Sequence, residues 1–245
     1  MSPSRPRSWT RKSLRKISNW LVYQYRINRR PIVSIEGVRI RVGPHMSRRV
    51  EQAISRGGYE RNELRLIRLV LSPNDVVLEI GAGLGVISAY CAKRLGSSQV
   101  FAFEANPDLE PRIRETYALN GVEPTLEMCA IRAVAGRVTL YRTKHLFSSS
   151  IIRRSERAVP IEVPGKALSY VVEKIRPTML IVDVEGAESE LFDDAQLPGV
   201  NKIVVELHER VIGRTKAQQV RAALTALGFQ EDRGLSSHEH LVLRR

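Results

Sequence analysis

The stretch VVLEIGAGLG (residues 76–85) joins a run of apolar residues to a turn that contains three glycines. The apolar run predicts a buried strand. The glycines predict a turn whose backbone adopts conformations that side chains forbid. A helical segment follows over residues 84–95 and ends at Gly96. A strand, a glycine turn and a helix in this order indicate the repeating unit of a parallel α/β fold.

Short apolar strands and helical segments continue to alternate toward the C-terminus. Further strands are predicted at 100–103, near 125–131, at 138–141 (extending the preceding strand or pairing with it), and at 178–184, 203–207 and 241–243. Further helices are predicted at 108–119, around 167–175, at 187–194 and at 216–227. The chain is therefore predicted to be α/β, with a mostly parallel seven-stranded sheet and helices on both faces.

Positive charge is concentrated at the N-terminus of the 245-residue chain, whose net charge is +13. Residues 1–50 hold thirteen Lys and Arg against one acidic residue, Glu36. Residues 51–245 are nearly neutral. We therefore predict two parts, a basic arm (1–50) and a domain (51–245).

The arm is predicted to contain a basic amphipathic helix and a small hairpin. Leu14, Ile17 and Leu21 recur at helical spacing among basic residues, and residues 31–42 alternate at the strand period around a Glu-Gly turn. Such a helix suits an anionic partner, either a membrane surface or RNA, or it packs on the domain.

Several classes of protein are disfavoured by composition. No stretch approaches the roughly 20 apolar residues of a membrane span. The N-terminus is too basic throughout for a signal peptide. Cys91 and Cys129 are expected to be reduced thiols in the core. We predict a cytoplasmic protein, with peripheral membrane attachment through the arm as an alternative.

Acidic residues beside the glycine turn distinguish two nucleotide-type ligands. The dinucleotide fingerprint requires a third glycine at position 86, where this chain has Val86. Glu79 would repel a pyrophosphate but suits an ammonium or a sulfonium. Glu104, at the end of the next strand, can accept hydrogen bonds from both hydroxyls of a ribose. These residues favour S-adenosylmethionine over NAD.

The sequence resembles the FkbM family of S-adenosylmethionine-dependent methyltransferases, within the Rossmann-like class I group. The resemblance covers about residues 59–230. It rests on VVLEIGAGLG (76–85), FAFEANP (101–107), GRVTL (136–140) followed by Ser148–Ser150, DVEGAESELF (183–192) and VVELH (204–208). The chain departs from the family pattern at Met128, at Ile181 and over residues 167–169. These departures weaken any transfer of the substrate's identity.

The resemblance implies a cofactor site and a catalytic group at the strand ends. The implied cofactor-binding residues are Glu79, Gly81, Ala82, Gly83, Gly85, Glu104, Ala105, Cys129, Ala130 and Asp183. Asp183 would lie beside the reactive methyl group and Glu185 near the acceptor. His208 is our first choice as general base because of its chemistry. The alternatives are that Glu185 or Asp183 is the base and that His208 has a structural role. These three are the predicted catalytic residues.

Other polar residues receive structural roles or remain open. Glu188 and Glu190 are predicted to stabilise a helix N-terminus through its dipole. Tyr59-Glu60 is expected in a packed entry helix, with a lid over the cofactor as the alternative. His238 and His240 are placed in a turn near the C-terminus. No metal is predicted, although Asp183, Glu185, Glu206 and His208 are ligand types that suit Mg or Mn.

The predicted function is methyl transfer from S-adenosylmethionine to a hydroxyl group on a small molecule or glycan. One alternative is methylation of an RNA ribose, with the basic arm on the phosphate backbone. The other is a non-catalytic protein that binds the cofactor or docks on a membrane.

Overall fold

A computed structural model describes residues 32–43, 46–142, 151–153 and 156–245. The predicted amphipathic helix and the Ser148–Ser150 loop lie outside these residues. The strands are β1 (Ile32–Ile35), β2 (Val38–Arg41), β3 (Val77–Ile80), β4 (Val100–Phe103), β5 (Thr125–Glu127), β6 (Ala130–Arg132), β7 (Gly136–Arg142), β8 (Val159–Ala167), β9 (Met179–Val182), β10 (Lys202–Glu206), β11 (Gln230–Glu231) and β12 (His240–Arg244). The helices are α1 (Arg48–Ser55), α2 (Arg61–Val70), α3 (Val86–Leu95), α4 (Glu110–Asn120), α5 (Leu168–Ile175), α6 (Glu188–Leu191), α7 (Glu209–Ile212) and α8 (Arg214–Ala226).

Seven strands form one mostly parallel sheet, as predicted, in the order β11-β12-β10-β9-β3-β4-β5. The five strands from β10 to β5 pair in parallel, whereas β12 runs antiparallel to both of its neighbours. All four residues of β3 and all four of β9 are buried. Seven of these eight residues are apolar, because a layer of helices covers each face of the sheet; the exception is Glu79.

The two faces of the sheet have separate cores. Val77, Ile181 and Val204 pack with the residues of α2 and α3 on one face. Their neighbours Leu78 and Leu180 point the other way, into a core that includes α5 and α8. The period of two along each strand therefore divides the apolar residues between two helical layers.

A second, three-stranded sheet differs from the sequence prediction. The segment 125–131 divides into β5 and β6, and residues 138–141 pair with β8 instead of with either of them. The sequence analysis missed β8 because Pro160 and Pro164 argue against a strand. β11 therefore provides the seventh strand of the main sheet.

The predicted hairpin is present and packs on the domain. β1 and β2 are antiparallel, and Ile35, Val38 and Ile40 are buried in the same core as α3 and α4. Arg41 Nε donates to Glu115 Oε1 at 2.5 Å. These contacts join residues before position 50 to the fold, and the domain boundary at that position stays a prediction.

The structure also bears on the predictions about the cysteines and about membrane spans. Cys91 and Cys129 are buried free thiols, as predicted. Within the described residues, no helix combines the length and hydrophobicity needed to cross a bilayer.

Candidate functional site

The carboxyl ends of four neighbouring strands bring the predicted site residues into one row. Ile80 at the end of β3 is in register with Phe103 of β4 and with Val182 of β9, and Val182 is in register with Val205 of β10. The next residues along these strands are Gly81, Glu104, Asp183 and Glu206. The strand order reverses at β3, and in open α/β sheets ligands bind at such a switch point.

The glycine turn after β3 is shaped by close contact with the end of β9. Gly81 has φ +92°, and a Cβ atom there would lie 1.7 Å from the carbonyl oxygen of Asp183. Only glycine therefore allows Asp183 to approach the turn. Gly83 has φ +56°, and a Cβ atom there would lie 3.1 Å from Tyr59 Oη. At these two glycines no side chain covers the main chain, which suits its close contact with a ligand.

Two other residues of the turn, Gly85 and Ala82, serve packing. A Cβ atom on Gly85 would lie 2.8 Å from the side chains of both Ile113 and Tyr117. The predicted cofactor residue Gly85 therefore allows α3 to pack against α4. Ala82 is buried, with 1% of its surface exposed. Contact of these two residues with a cofactor stays a prediction.

Glu104 is held rigidly at the end of β4. Its Oε2 accepts a hydrogen bond from Gly83 N at 3.0 Å and its Oε1 accepts one from Asn106 N at 2.8 Å. Burial raises the pKa of Glu104, and the amides of Asn106, Gly83 and Ala105 offset part of this rise. Each oxygen keeps a second lone pair. The carboxylate therefore fits the vicinal hydroxyls of a ribose.

Glu79 is a buried carboxyl group without a hydrogen-bond partner at either oxygen. Only 1% of its surface is exposed. Burial raises the pKa of Glu79 to about 8, and nearby Ser88 offsets part of the rise. The Ser88 hydroxyl is itself 2.8 Å from Tyr117 Oη. An unpaired buried carboxyl is costly, so this site fits a ligand with a cationic group such as the ammonium of S-adenosylmethionine.

Cys129 and Ala130 connect the two sheets. The Cys129 side chain packs in a sheet core, and burial raises its pKa to about 11. Ala130 begins β6 and packs with Val138, Leu140 and Val163. Both side chains pack in apolar clusters. Their contact with the adenine of the cofactor stays a prediction.

The predicted catalytic residues meet at the imidazole of His208. Its Nε2 lies 3.6 Å from Asp183 Oδ1 and 3.7 Å from Glu185 Oε2. Glu206 Oε1 lies 3.8 Å from the same nitrogen. Asp183 Oδ1 is buried and has no hydrogen-bond partner. Three carboxylates thus converge on one ring nitrogen from the ends of two neighbouring strands.

Charge in this cluster changes the proton affinity of its members. Burial and the charge of Glu206 raise the pKa of Asp183 well above its usual range, while His208 offsets part of the rise. Burial alone would lower the pKa of His208, but the hydrogen bond with Glu188 and the charge of Asp183 raise it to about 9. His208 is therefore an imidazolium at neutral pH in the free protein.

Glu188 is a site residue that the sequence analysis missed. Its side chain is fully buried. Its Oε1 accepts a hydrogen bond from His208 N at 2.6 Å and lies 3.2 Å from His208 Nδ1, and its Oε2 accepts one from Gly186 N at 2.8 Å. The predicted dipole role therefore does not describe its main contacts. Glu190 instead pairs with Arg132 on the surface.

Two groups of side chains have the composition of metal-ligand sets. Asp183, Glu206 and His208 form one, and Glu63, Glu206 and His240 form the other, with ligand atoms within 4.8 Å of each other in each group. His240 was expected in a turn but begins β12, where its Nε2 lies 2.5 Å from Glu63 Oε1. The expectation that no metal is used stays a prediction.

A cleft of about 430 Å³ opens beside the His208 cluster. Glu206 and His208 are among the residues that line it. Its remaining lining residues are Leu207, Glu209, Arg210, Val211, Arg214, His238 and Glu239. The lining therefore includes side chains with charges of both signs.

Comparison with known proteins identifies similar sequences. The family described as "Methyltransferase FkbM domain" matches residues 79–231, which is more than half of the chain. The chain is 34% identical over 91 residues to a protein of Methanocaldococcus jannaschii described as a protein N5-glutamine methyltransferase, covering 37% of this chain and 41% of that protein. It is 37% identical over 73 residues to ribosomal RNA small subunit methyltransferase A of Rubrobacter xylanophilus, covering 30% and 27%.

A third relative is similar over a longer span. Methyltransferase sdnD of Sordaria araneosa is 26% identical over 200 residues, which covers 67% of this chain and 74% of that protein. The chain thus spans less than half the length of the first two relatives and about three quarters of the third. The names of the three relatives refer to different kinds of methyl acceptor, a protein and a ribosomal RNA, or to none.

Proposed function

Because the chain belongs to the FkbM family of S-adenosylmethionine-dependent methyltransferases, we propose that it methylates a hydroxyl group on a small molecule or glycan. The observation that carries this proposal is the cleft beside His208. Its volume of about 430 Å³ is in the range of small-molecule sites. Glu206 and His208 are among its lining residues, so an acceptor in the cleft can place a hydroxyl at the carboxylate cluster.

The cofactor would be held by the turn and the acidic residues around it. Bound S-adenosylmethionine supplies an electrophilic methyl group on a positively charged sulfur. Gly81 and Gly83 would admit its amino acid part, and Glu104 would accept hydrogen bonds from the ribose. Glu79 and Asp183 would compensate its positive charge. Alignment of the acceptor with the methyl group would then contribute much of the rate enhancement.

A hydroxyl acceptor must lose its proton as the new bond to carbon forms. We assign His208 Nε2 as the proton acceptor, since Glu188 lies against Nδ1 and His208 lines the cleft. His208 is protonated in the free protein because carboxylates surround it. A cationic cofactor beside Asp183 weakens their field at the ring and lowers the pKa of His208. Cofactor binding therefore prepares the base, with Asp183 and Glu185 orienting the imidazole.

Methylation of an RNA ribose is the second candidate function. One matched relative is named as a ribosomal RNA methyltransferase. Residues 1–50 also carry thirteen Lys and Arg, which suits contact with phosphates. The near-neutral charge of the remaining chain favours the small acceptor instead.

The experiment that tests the proposal uses isotopically labelled S-adenosylmethionine and the full-length protein. Label is followed by mass spectrometry in a small-molecule fraction, a glycan fraction and an RNA fraction of the native extract. We expect label in one of the first two and its complete loss with Asp183→Ala. The control Glu162→Gln changes a surface carboxylate on the second sheet and should retain activity.

Each other outcome contradicts a named part of the proposal. Label in RNA alone, lost at high salt, replaces it with the second candidate. Cofactor binding without label in any fraction supports the non-catalytic alternative. Unchanged label transfer by Asp183→Ala removes the role assigned to that residue.

A further inference from the structure

Tyr59 and Glu60, between α1 and α2, have an unusual local structure. They precede residues 79–231, which match the family. Glu60 has φ 48° and ψ 25°, a left-handed conformation that is unfavourable for residues other than glycine. It occupies the N-cap position of α2, yet its side chain makes no capping hydrogen bond. The strained backbone therefore does not serve to cap the helix. Backbone strain of this kind is often found at functional sites.

The side chains of this segment lie on the glycine turn. A Cβ atom on Gly83 would be 3.1 Å from Tyr59 Oη and 3.4 Å from Glu60 Oε1. Both atoms lie on the same side of the turn, and the Tyr59 hydroxyl offsets part of the rise that burial causes in the pKa of Glu60. Tyr59 and Glu60 thus border the glycine turn where the amino acid part of the cofactor would lie. The predicted entry helix begins only after them, at Arg61.

Glu60 has an acceptor atom without a partner. Its Oε2 is buried and makes no hydrogen bond. Burial and the charge of Glu79 raise the pKa of Glu60 well above its usual range. Among the ion pairs of the described residues, neither Glu60 nor Glu79 has a Lys or Arg partner, and Asp183 has only His208. Within the described residues, Glu60 and Glu79 therefore face the turn without an ion-pair partner, and Asp183 is compensated only by His208.

The chemistry of these groups matches one part of the cofactor. An α-ammonium group has three N–H donors and a full positive charge, and it needs acceptors on more than one side. Glu79 would face it from β3, and Glu60 from the segment before α2. Hydrogen bonds between charged groups in a water-poor site are among the strongest in proteins.

We propose that Glu60 binds the α-ammonium group of the cofactor, with Tyr59 Oη positioning its carboxylate beside Gly83. The segment before α2 is then a wall of the cofactor site. This inference rests on the cofactor that the family uses and does not depend on the acceptor.

The test compares two ligands by isothermal titration calorimetry without an acceptor. S-adenosylhomocysteine carries the amino acid part, whereas 5′-methylthioadenosine keeps the nucleoside and thioether but lacks the ammonium group. We expect Glu60→Gln to weaken binding of S-adenosylhomocysteine about tenfold to hundredfold, in line with a hydrogen bond to a charged group. Binding of 5′-methylthioadenosine should change less than twofold.

A matched control separates this effect from backbone strain. Glu36 is also a left-handed glutamate, with φ 47°, but it lies exposed on the β1–β2 turn. Glu36→Gln should leave both affinities unchanged. Tyr59→Phe removes the positioning hydroxyl and should weaken S-adenosylhomocysteine binding selectively but by a smaller factor. Thermal unfolding of each variant reports whether the fold is intact.

Two results would overturn the inference. One is wild-type affinity of Glu60→Gln for S-adenosylhomocysteine, and the other is an equal loss for both ligands, which indicates a packing defect. If Glu60→Gln does not fold, an unselective or absent effect of Tyr59→Phe overturns it. Failure of the wild-type protein to bind either ligand would instead remove the proposed function itself.

Discussion

Replacement of Glu79 by Gln should abolish a proton release that accompanies cofactor binding. Burial raises the pKa of Glu79 to about 8, so this carboxyl group is mostly protonated at neutral pH in the free protein. A bound ammonium group favours the ionised form. The wild-type protein should therefore release the Glu79 proton when it binds S-adenosylhomocysteine, whereas Gln at this position has no proton to release.

The size of the effect follows from the pKa. With a value of about 8, about 0.9 of a proton is released per ligand at pH 7 if the bound carboxylate is fully ionised. The ionised fraction rises about ninefold from pH 6 to pH 7, and the affinity should rise by the same factor. The amino group of the ligand stays mostly protonated in this range, because its pKa is near 8.

Calorimetry in buffers of different ionisation enthalpy measures the number of protons released. Other acidic groups near the turn also contribute, so the decisive quantity is the difference between wild type and Glu79→Gln. We expect a difference of about 0.9 proton at pH 7. The control Glu110→Gln, on the surface of α4, should match wild type. Equal proton release by wild type and Glu79→Gln would refute the assignment of Glu79 as a neutral group that ionises on binding.

Two further predictions concern stability. Gly81→Ala should lower the free energy of unfolding by more than about 4 kcal/mol, because the new Cβ atom would lie 1.7 Å from Asp183 O. The control Gly96→Ala, at a similar φ of +90° but with open space around it, should lose only about 1–3 kcal/mol through backbone strain. Equal losses for the two variants in urea denaturation would show that the contact with Asp183 is unimportant. The pKa of His208 rises on folding from 6.5 to about 9, so its contribution to the stability of the fold is complete below pH 6.5 and is lost as pH rises through 9. The free energy of unfolding of wild type should fall by up to about 3 kcal/mol across this range relative to that of His208→Gln. Parallel profiles of stability against pH for the two proteins would contradict this.

The sequence predicted the main sheet because its strands carry their own evidence. The runs in β3, β4, β9 and β10 are apolar on both faces and are bounded by glycine or acidic residues. The position of Asp183 at the cofactor site was implied by the resemblance to the FkbM family, and the structure brings it beside the glycine turn through the pairing of β3 with β9. The strand predictions depend on local patterns and on the rules of parallel sheets, and both can be applied to a single sequence.

Features that depend on contacts between distant segments were not predictable. The packing role of Gly85 requires Ile113 and Tyr117 from α4. Glu188 looks like an ordinary glutamate at a helix start, and its burial depends on the backbone of His208, twenty residues later. β8 was not predicted because prolines argue against a strand with neighbours on both sides, yet β8 lies between β6 and β7.

The contacts of Glu188 also bear on how readily the enzyme can acquire a new acceptor. Its carboxylate joins the loop after β9 to the loop after β10 through two main-chain amides, those of Gly186 and His208. A main-chain amide is present whichever residue occupies the position. Side chains of the second loop can therefore be exchanged, by evolution or by an engineer, while the two loops keep their spacing. Selection for altered substrates should accordingly accumulate changes over residues 209–214 and leave position 188 untouched.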